Sequence, residues 1–518
     1  MSNKQTYIPL IAGLFLMIGV YIGMKWGGEG IQPLSISLSP KQNKLTEVLD
    51  YIDYSYVDSV EKDAMIEDAI NSLLTDLDPH SQYISARDLN LVNEPLEGNF
   101  EGIGVQFRII NDTVAVIRPI QGGPSQKVGV AAGDQIITVD DSLIAGNGVT
   151  NRTIMSLLKG PKNSEVTIQV QRGNQDSLLS FTIVRDRIPI QSVDAAYMME
   201  EGIAYLKLAH FAKTTADEVL DSLASLSKQG MESLVLDLRG NGGGILQSAI
   251  RITEALLPKG LMIVYTEGKA QPKTEYRTTR DGEYKDLPIT ILIDEQSASA
   301  SEILSGALQD NDRGTIVGRR SFGKGLVQEQ VELGDRSALR LTVARYYTPS
   351  GRSIQKPYKG VDYGMDLQNR FESGEFYSAD SIEFPDSLIY KTLGGDTVYG
   401  GGGIMPDKFV PLKQGVDTGW YGELFYSGAL NDMVYNDAKE IRKALPSEDA
   451  FIREFQLSAL QRKRIAEKLE VKTLKKSEDS ERRYKAFLGR NLYGENCFFR
   501  LWNENDTVIE VAKKALAK

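Results

Sequence analysis

Between residue 202 and the middle of the chain, short apolar segments alternate with segments of helical periodicity. The stretch ESLVLDLR (232–239) is followed by the glycine loop GNGGG (240–244) and then by apolar residues at helical spacing from 246 to 257. ITILID (289–294) repeats this order, with the run SASASEILSGALQD (297–310) in place of the glycine loop. Continuous apolar strands that alternate with helices are typical of α/β folds, in which both faces of the sheet are covered. The pattern therefore predicts an α/β domain with buried strands.

The regions around this domain have other patterns, and 518 residues are enough for two to four domains. Apolar residues at helical spacing between 41 and 77 predict N-terminal helices, which DPHSQY (78–83) ends. Short strand-like segments separated by glycines predict a small β-rich module over about 97–189. The last hundred residues are charged and have helical periodicity.

Charge and cysteine content exclude some classes of function. A net charge of -11 and a pI of about 5.1 argue against a nucleic-acid-binding protein, which would normally show a basic footprint. The single cysteine, Cys497, excludes an internal disulfide and a cysteine-rich metal site.

The N-terminal stretch 7–24 is uncharged and is bounded by Lys4 and Lys25. It is at the short end for a membrane span and long for the apolar region of a cleaved signal, and no clear A-x-A cleavage site follows it. The stretch predicts an uncleaved signal anchor within residues 1–30 in preference to a removed signal peptide. With either interpretation, the rest of the chain is expected to be exported.

The serine run 297–301 lies where a buried strand gives way to a helix, a place where enzymes often carry a nucleophile. Ser299 and Glu302 have the spacing of a capping box, so Ser299 could also serve only as a helix cap. Ser297 is still near the strand, and Ser305 lies inside the helix. On the residues alone, Ser299 and Ser301 are equally good candidates.

A serine nucleophile needs a base within hydrogen-bond reach, and the chain offers few. It has two histidines, His80 and His210, and each could be a structural residue. Lysine is the other known base, provided that burial keeps it neutral. Lys324 lies between Gly323 and Gly325 and begins an apolar strand, although a solvent-facing turn lysine is the ordinary alternative.

GRRSFGKG (318–325) matches the phosphate-loop pattern, but this match does not indicate nucleotide binding. Gly325 stands where a serine or threonine would hold magnesium, and a strand rather than a helix follows. No helix N-terminus is therefore available to receive a phosphate.

The glycine loop 240–244 could supply backbone N–H groups to the oxyanion of an acyl-transfer reaction. It ends a buried strand and precedes a helix, so its amides can face a cleft. Alone, it is also an ordinary turn between a strand and a helix.

Several motifs together resemble the carboxyl-terminal processing proteases, tail-specific serine peptidases with a PDZ domain. They occur in the family's order and cover roughly residues 43–411. The matching stretches are YVDSV…LTDLDPHSQY, FEGIGVQF, GVAAGDQIITVD, LVLDLRGNGGG, SASASEI, QDNDRGTIVGRRSFGKGLVQ, YYTPSGRSIQ and GGGIMPD.

The resemblance implies a multidomain α/β chain whose protease domain is related to crotonase-like sheets. The implied parts are a signal segment (1–30), an N-terminal helical region (40–95), a PDZ domain (96–190), a peptidase domain (191–412) and a helical C-terminal extension (413–518). Two parts lie outside the family motifs, namely 356–395 and the tail after Leu412. The tail could pack on the protease domain, bind an adaptor protein or mediate homo-oligomer formation.

The resemblance also implies a Ser-Lys dyad. The second serine of the SASAS run is the nucleophile and lies 25 positions before the lysine of FGKG, which here gives Ser299 and Lys324. A glutamine four positions after that lysine, Gln328, helps to orient it.

The same resemblance assigns the groups around the dyad. The oxyanion donors are the amide of Ala300 and a glycine amide, either Gly243 or Gly244. Asp310 matches an acidic position of the family and is expected to support the site near the lysine. Gly242 stands where many relatives carry proline, a change that leaves the amides available.

In the implied PDZ domain, the loop Gly102, Ile103, Gly104 and Val105 binds the terminal carboxylate of a peptide that adds to the module as a strand. The alternative is that this loop is only a structural turn beside an edge strand. The expected partners are protein substrates with apolar C-termini.

Together these inferences predict an endopeptidase that cleaves exported proteins on the periplasmic side of the inner membrane, anchored by residues 7–24. It needs no metal or organic cofactor and binds no nucleic acid. One alternative is a non-catalytic PDZ-type binding or scaffold protein. The other is a serine hydrolase that uses His80 or His210 as its base.

Overall fold

A computed structural model describes residues 44–517, except for Asn174, Asp176, 414–418, Arg442, Lys443 and Pro446. The predicted signal anchor at 7–24 lies outside the described residues. Within them, no helix combines the length and the apolar character that crossing a bilayer would require.

The predicted N-terminal helices are confirmed as α1 (Lys44–Ser55) and α2 (Lys62–Thr75). The chain divides into two compact units, Met1–Ser72 and Leu73–Lys518. In α1 no residue is buried. The region predicted as helical also contains a strand, β1 (Gln82–Ile84), which precedes α3 (Leu89–Glu97).

The predicted β-rich module is confirmed, and its main sheet has the order β3-β4-β5-β7-β8, with β6 paired to β5. Its elements are β2 (Asn99–Gly102), β3 (Val105–Ile110), β4 (Thr113–Pro119), α4 (Pro124–Lys127), β5 (Asp134–Val139), β6 (Ser142–Leu143), α5 (Asn151–Leu158), β7 (Glu165–Arg172), β8 (Leu179–Val184) and β9 (Asp186–Pro189). Alternate residues of β7 pack with Ile154 of α5 in one apolar core, because successive side chains of a strand face opposite sides of the sheet.

The α/β domain is also confirmed. Its elements are β10 (Val193–Glu200), β11 (Ile203–Leu208), α6 (Thr215–Lys228), β12 (Ser233–Asp237), α7 (Leu246–Leu256), β13 (Met262–Glu267), β14 (Thr274–Arg277), β15 (Ile289–Ile293), α8 (Ala300–Asp310), β16 (Thr315–Gly318), β17 (Leu326–Glu332), β18 (Ala338–Tyr347), α9 (Asp366–Glu372), β19 (Ile389–Lys391), β20 (Thr397–Tyr399) and β21 (Lys408–Phe409). The central sheet has the order β10-β11-β12-β15-β16-β21 and is parallel from β11 to β21. A second, antiparallel sheet joins β18 to β1, β13 and β17.

The helical tail is confirmed, and its last helix covers one face of the central sheet. Its helices are α10 (Gly419–Tyr426), α11 (Ala429–Ile441), α12 (Glu448–Glu454), α13 (Ala459–Lys468), α14 (Glu478–Tyr493), α15 (Glu495–Trp502) and α16 (Thr507–Leu516). Leu234 and Leu236 of β12 pack in the core formed with α6, α7 and α8, whereas Val235 packs with Ile509 of α16 on the other face. Both faces of β12 are therefore covered, which explains its continuous apolar sequence.

Candidate active site

Ser299 is the N-terminal cap of α8, at the turn after β15. Its backbone has φ 54° and ψ -112°, outside the regions that non-glycine residues ordinarily occupy. Such strain persists only where the surrounding structure imposes it, and it is concentrated at functional sites. In α/β-hydrolases, a strained turn between a strand and a helix exposes the serine nucleophile.

The other serines of the run are fully buried, and their hydroxyls are already engaged. Ser297 donates to the carbonyl of Leu238 at 2.9 Å. Ser301 donates to the carbonyl of Asn241 at 2.9 Å. Ser305 donates to the carbonyl of Ser301 at 2.8 Å. Ser299 is only half-buried, and within the described residues its hydroxyl donates to no carbonyl.

Lys324 lies in the loop between β16 and β17, next to Gly323, whose φ is 88°. Its Nζ donates to Oε1 of Gln328 at 3.0 Å, and Nε2 of Gln328 donates to the carbonyl of His80 at 2.6 Å. Burial, together with the charge of Arg340, lowers the pKa of Lys324. The lysine thus has a fixed direction and an increased fraction of the neutral amine, as a base requires.

Glu302 joins the backbones of Ser299 and Lys324, although they are distant in sequence. Its Oε2 accepts the N–H of Ser299 at 2.8 Å and the N–H of Lys324 at 2.9 Å. Its Oε1 accepts the hydroxyl of Ser321 at 2.5 Å and the N–H of Gly323 at 2.7 Å. Sequence reasoning predicted the capping box, which the structure contains. It missed the contacts of Glu302 with the loop 319–325 that carries Lys324, here called the lysine loop.

Tyr346 of β18 makes a second link between the same two residues. Its hydroxyl lies 2.6 Å from the carbonyl of Lys324 and 3.2 Å from that of Ser299, so the single proton is shared between two acceptors. Tyr346 is buried and was not predicted, because nothing in the β-alternation of its strand distinguishes it from an ordinary core tyrosine.

The glycine loop lies against the turn at Ser299 that follows β15, here called the serine turn. A Cβ atom at Gly243 would come within 2.7 Å of Ser299 Cβ and 2.9 Å of the Ala300 nitrogen, so no side chain fits there. The N–H of Gly243 donates to Oδ1 of Asn241 at 2.9 Å. Within the described chain, the N–H groups of Gly244 and Ala300 have no acceptor. Of the two predicted glycines, Gly244 therefore has the available amide.

Asn241 fixes the distance between the glycine loop and the serine turn, a role that sequence reasoning missed. Its carbonyl accepts the N–H of Ala298 at 3.0 Å in addition to the hydroxyl of Ser301. Its side-chain amide donates to the carbonyl of Leu208 at 2.9 Å. Asn241 is fully buried, and all these partners are distant in sequence.

The C-terminal extension also contacts the residue that precedes the glycine loop. This residue, Arg239, forms an ion pair with Asp237 at 2.6 Å and a second one with Asp506 at 2.7 Å. The other oxygen of Asp506 accepts the N–H of Val508 at 2.8 Å and so caps α16. Of the roles considered for the tail, packing on the α/β domain is therefore the one observed.

Neither histidine contacts Ser299 among the described hydrogen bonds. Nε2 of His80 lies 2.8 Å from the hydroxyl of Tyr363, and burial and the charge of Lys324 lower its pKa to about 4. His210 lies 3.4 Å from the hydroxyl of Ser192, and burial lowers its pKa as well.

Asp310 was predicted to support the site near the lysine, but its described side-chain contacts are with other residues. Its carboxylate binds Arg352 at 2.7 Å and the hydroxyl of Ser350 at 2.6 Å. Asp310 is the last residue of α8, whereas Glu302, which holds the lysine loop, lies in the first turn. The two residues are eight positions apart along the helix, a rise of about 12 Å. Asp310 therefore anchors the far end of the helix.

The predicted carboxylate-binding loop, residues 102–105, connects β2 to β3. Gly104 has φ 71°, and a Cβ atom there would come within 2.9 Å of Ile188 Cδ1. The carbonyl of Ile103 accepts the N–H and the hydroxyl of Ser125 at 3.0 and 2.6 Å. β3 is the terminal strand of its sheet, and within the described module only β4 pairs with it.

Comparisons with known proteins identify the family of this chain. Residues 202–366 match Peptidase family S41, and residues 102–183 match the PDZ domain. The Carboxy-terminal-processing protease of Bartonella bacilliformis is 37% identical over 359 residues, which is 67% of this chain and 80% of that protein. Carboxy-terminal processing protease CtpB of Bacillus subtilis is 31% identical over 349 residues, which is 67% of this chain and 71% of that protein. The solved photosystem II D1 C-terminal processing protease is 29% identical with a TM-score of 0.36, and the match covers 63% of this chain and 92% of that one.

The matched stretches contain the serine turn, the lysine loop and the edge strand of the β-rich module. They confirm the resemblance inferred from the eight sequence motifs. The chain belongs to the carboxy-terminal processing proteases, serine-type peptidases of family S41 that carry a PDZ domain.

Proposed function

We propose that this peptidase uses a Ser299–Lys324 dyad and cleaves internal peptide bonds through an acyl-enzyme. The observation that carries the proposal is the state of Ser299. It is the serine of its run with a strained backbone and a hydroxyl that donates to no carbonyl of the described chain. Glu302 and Tyr346 join it to the loop of Lys324, whose amine Gln328 orients.

In the proposed reaction, neutral Lys324 accepts the proton of the Ser299 hydroxyl while the serine oxygen attacks a peptide carbonyl carbon. When the tetrahedral intermediate collapses, the C–N bond breaks and the lysine gives this proton to the leaving amine. Water then attacks the Ser299 ester, again with Lys324 as base. The acid product leaves, and the proton returns to the serine oxygen.

The carbonyl oxygen becomes negatively charged in the intermediate and needs donors that are already oriented. We assign this role to the N–H groups of Ala300 and Gly244. The support is that both amides lack an acceptor within the described chain, whereas the N–H of Gly243 is bound to Asn241. Gly243 then contributes by its lack of a side chain, since a Cβ atom would collide with Ser299.

Mass spectrometry of the acyl-enzyme tests the mechanism. An unfolded protein with an apolar C-terminal tail is mixed with the full chain, and the reaction is quenched in acid within its first turnover. We expect a peptide ester on Ser299 after proteolytic mapping. An ester on Ser301, or turnover without any ester on this run, would contradict the proposed mechanism.

We further propose that the PDZ domain selects substrates by their apolar C-termini. The loop 102–105 would bind the terminal carboxylate, and the tail would add to β3 as a strand. The support is the position of β3 at the sheet edge and the positive φ of Gly104, which a glycine adopts without strain.

Replacement of Gly104 by alanine should weaken binding of a tail peptide by about tenfold, because the side chain would press on Ile188 and displace the loop. Fluorescence anisotropy with a labelled peptide measures the change. Gly146→Ala is the matched control: its φ of 74° imposes similar strain, but no atom lies within 4 Å of the added Cβ. Equal loss in both variants would refute the assignment of this loop.

We also propose that residues 7–24 anchor the chain in the inner membrane, with the peptidase on the periplasmic side. The support is the uncharged character of this stretch between two lysines. Cell fractionation of the full chain and of a variant without residues 1–30 tests this. Equal recovery of both chains in the soluble fraction would argue against an anchor.

A further inference from the structure

The structure contains a buried carboxylate, Glu302, that the proposed reaction does not use. Its side chain is fully buried, and its two oxygens accept four hydrogen bonds, from Ser299, Ser321, Gly323 and Lys324. Three of the donors are backbone N–H groups, which cannot reverse direction. A hydrogen on Oε2 would face a backbone N–H, and a hydrogen on Oε1 would require Ser321 to reverse its hydroxyl, so the four donors favour the ionised carboxylate.

The hydrogen bonds at Oε2 connect the two halves of the dyad. One comes from the N–H of Ser299 on the serine turn, and the other comes from the N–H of Lys324 on the lysine loop. Oε1 holds the same loop at Ser321 and Gly323. Loss of the carboxylate would free the lysine loop from the serine turn at several points at once. The shared hydroxyl of Tyr346 would still join the two carbonyls.

We propose that Glu302 is a positioning residue whose ionised carboxylate holds Ser299 and Lys324 in their reactive arrangement, so that the dyad is assembled only while Glu302 carries its charge. This inference rests on the proposed dyad. Glu302 transfers no proton to substrate, and its effect on the reaction passes through the backbones of the two dyad residues.

The surroundings of Glu302 make its charge sensitive to pH. Burial raises the pKa of Glu302 to about 7, even though its four hydrogen bonds favour the charged form. The ionisable groups around it are the amine of Lys324 on the lysine loop, the phenol of Tyr346 on β18, and Lys356 and Tyr363 on the segment after β18. Lys356 is itself paired with Asp366 at 2.6 Å.

Two deprotonations then control the acid side of the pH profile. Activity needs the neutral amine of Lys324, and it also needs the carboxylate of Glu302, so both requirements raise kcat/KM as the pH rises. Below both pKa values, a plot of log(kcat/KM) against pH should have a slope of about 2. A merely structural glutamate would leave the slope at about 1, from the lysine alone.

The test is the pH profile of the full chain and of Glu302→Gln, measured with the same unfolded substrate. We expect the glutamine variant to lose about 10²-fold in kcat at the plateau, because the dyad is misplaced. We also expect its acid limb to fall to a slope of about 1. The limb should move to lower pH, because the negative charge of Glu302 raises the pKa of Lys324.

Ser321→Ala provides an independent variant in which Glu302 is retained. The hydroxyl of Ser321 stabilises the charged form, so its removal should raise the pKa of Glu302. The part of the acid limb with a slope of about 2 should then extend to higher pH. If circular dichroism shows that Glu302→Gln does not fold, the pH shift in Ser321→Ala tests the proposal instead. Its presence supports the proposal, and its absence refutes it.

A slope of about 1 in the unmodified chain below both pKa values would overturn the proposal. So would a glutamine variant that keeps the steeper slope of the unmodified chain, whatever its plateau. Failure of the proposed function is distinguishable, since it would appear as turnover in a Ser299→Ala variant. Activity that depends on Ser299 but not on Glu302 would refute only the positioning role.

Discussion

Replacement of Ser299 by alanine should lower kcat/KM by about 10⁴-fold or more for an unfolded protein with an apolar tail. The physical reason is the loss of the oxygen that forms the acyl bond, since every other serine hydroxyl of the run donates to a carbonyl. The backbone hydrogen bond from Ser299 to Glu302 is retained, so the fold should be preserved. Initial rates at several substrate concentrations, with circular dichroism on the same samples, measure the effect.

Ser301→Ala is the matched control, because the sequence alone left Ser301 as an equal candidate. It removes one buried hydrogen bond to Asn241 and should reduce stability by about 1 kcal/mol. Its kcat/KM should stay within about tenfold of the unmodified chain. If the losses were reversed between the two variants, the nucleophile would be Ser301 and the assignment of Ser299 would be wrong.

Lys324→Arg should reduce kcat/KM by about 10³-fold or more, although it retains the positive charge. The guanidinium has no accessible neutral form and therefore cannot accept the serine proton. In the unmodified chain, kcat/KM should rise with pH as Lys324 loses its proton. Burial moves this rise to lower pH by disfavouring the charged amine.

His210→Ala is the control for the alternative base. His210 contacts Ser192 and has no described contact with Ser299, so the variant should turn over substrate within about tenfold of the unmodified rate. The double variant Ser299→Ala, Lys324→Arg should be no slower than Ser299→Ala, because residues that act as a unit are not additive. Substantial activity in Lys324→Arg would eliminate the lysine as the base.

The sequence predicted the order of the domains because each element leaves a local periodic signal. The continuous apolar run of β12 predicted a strand covered on both faces, and α16 supplies the second cover. The same reasoning could not predict that the cover comes from the far end of the chain. Periodicity records that a face is buried, but it does not record which element buries it.

The serine run illustrates the same limit within the site. Spacing left Ser299 and Ser301 equal, and only resemblance to a family separated them. The folded chain adds a physical distinction: Ser301 is buried in the helix and bound to Asn241, whereas Ser299 occupies the strained turn. That distinction depends on the glycine loop, which lies about sixty residues earlier.

Glu302 and Asp310 show two limits of local sequence patterns. The capping box identified Glu302 as a local partner of Ser299, but the contacts with Ser321, Gly323 and Lys324 exist only in the folded chain. Asp310 was expected beside the lysine, yet the length of α8 carries it to the other end of the helix and to Arg352.

By itself, the sequence determined the succession of helices and strands, the family, and the chemical types available for catalysis. These depend on short-range spacing and on motifs that can be read in order along the chain. The tertiary structure alone decided which serine hydroxyl donates to no carbonyl of the described chain, which amides lack an acceptor there, and which carboxylate joins the serine turn to the lysine loop. Those properties arise where distant segments converge, because hydrogen bonds and burial depend on proximity in space and not on separation along the chain.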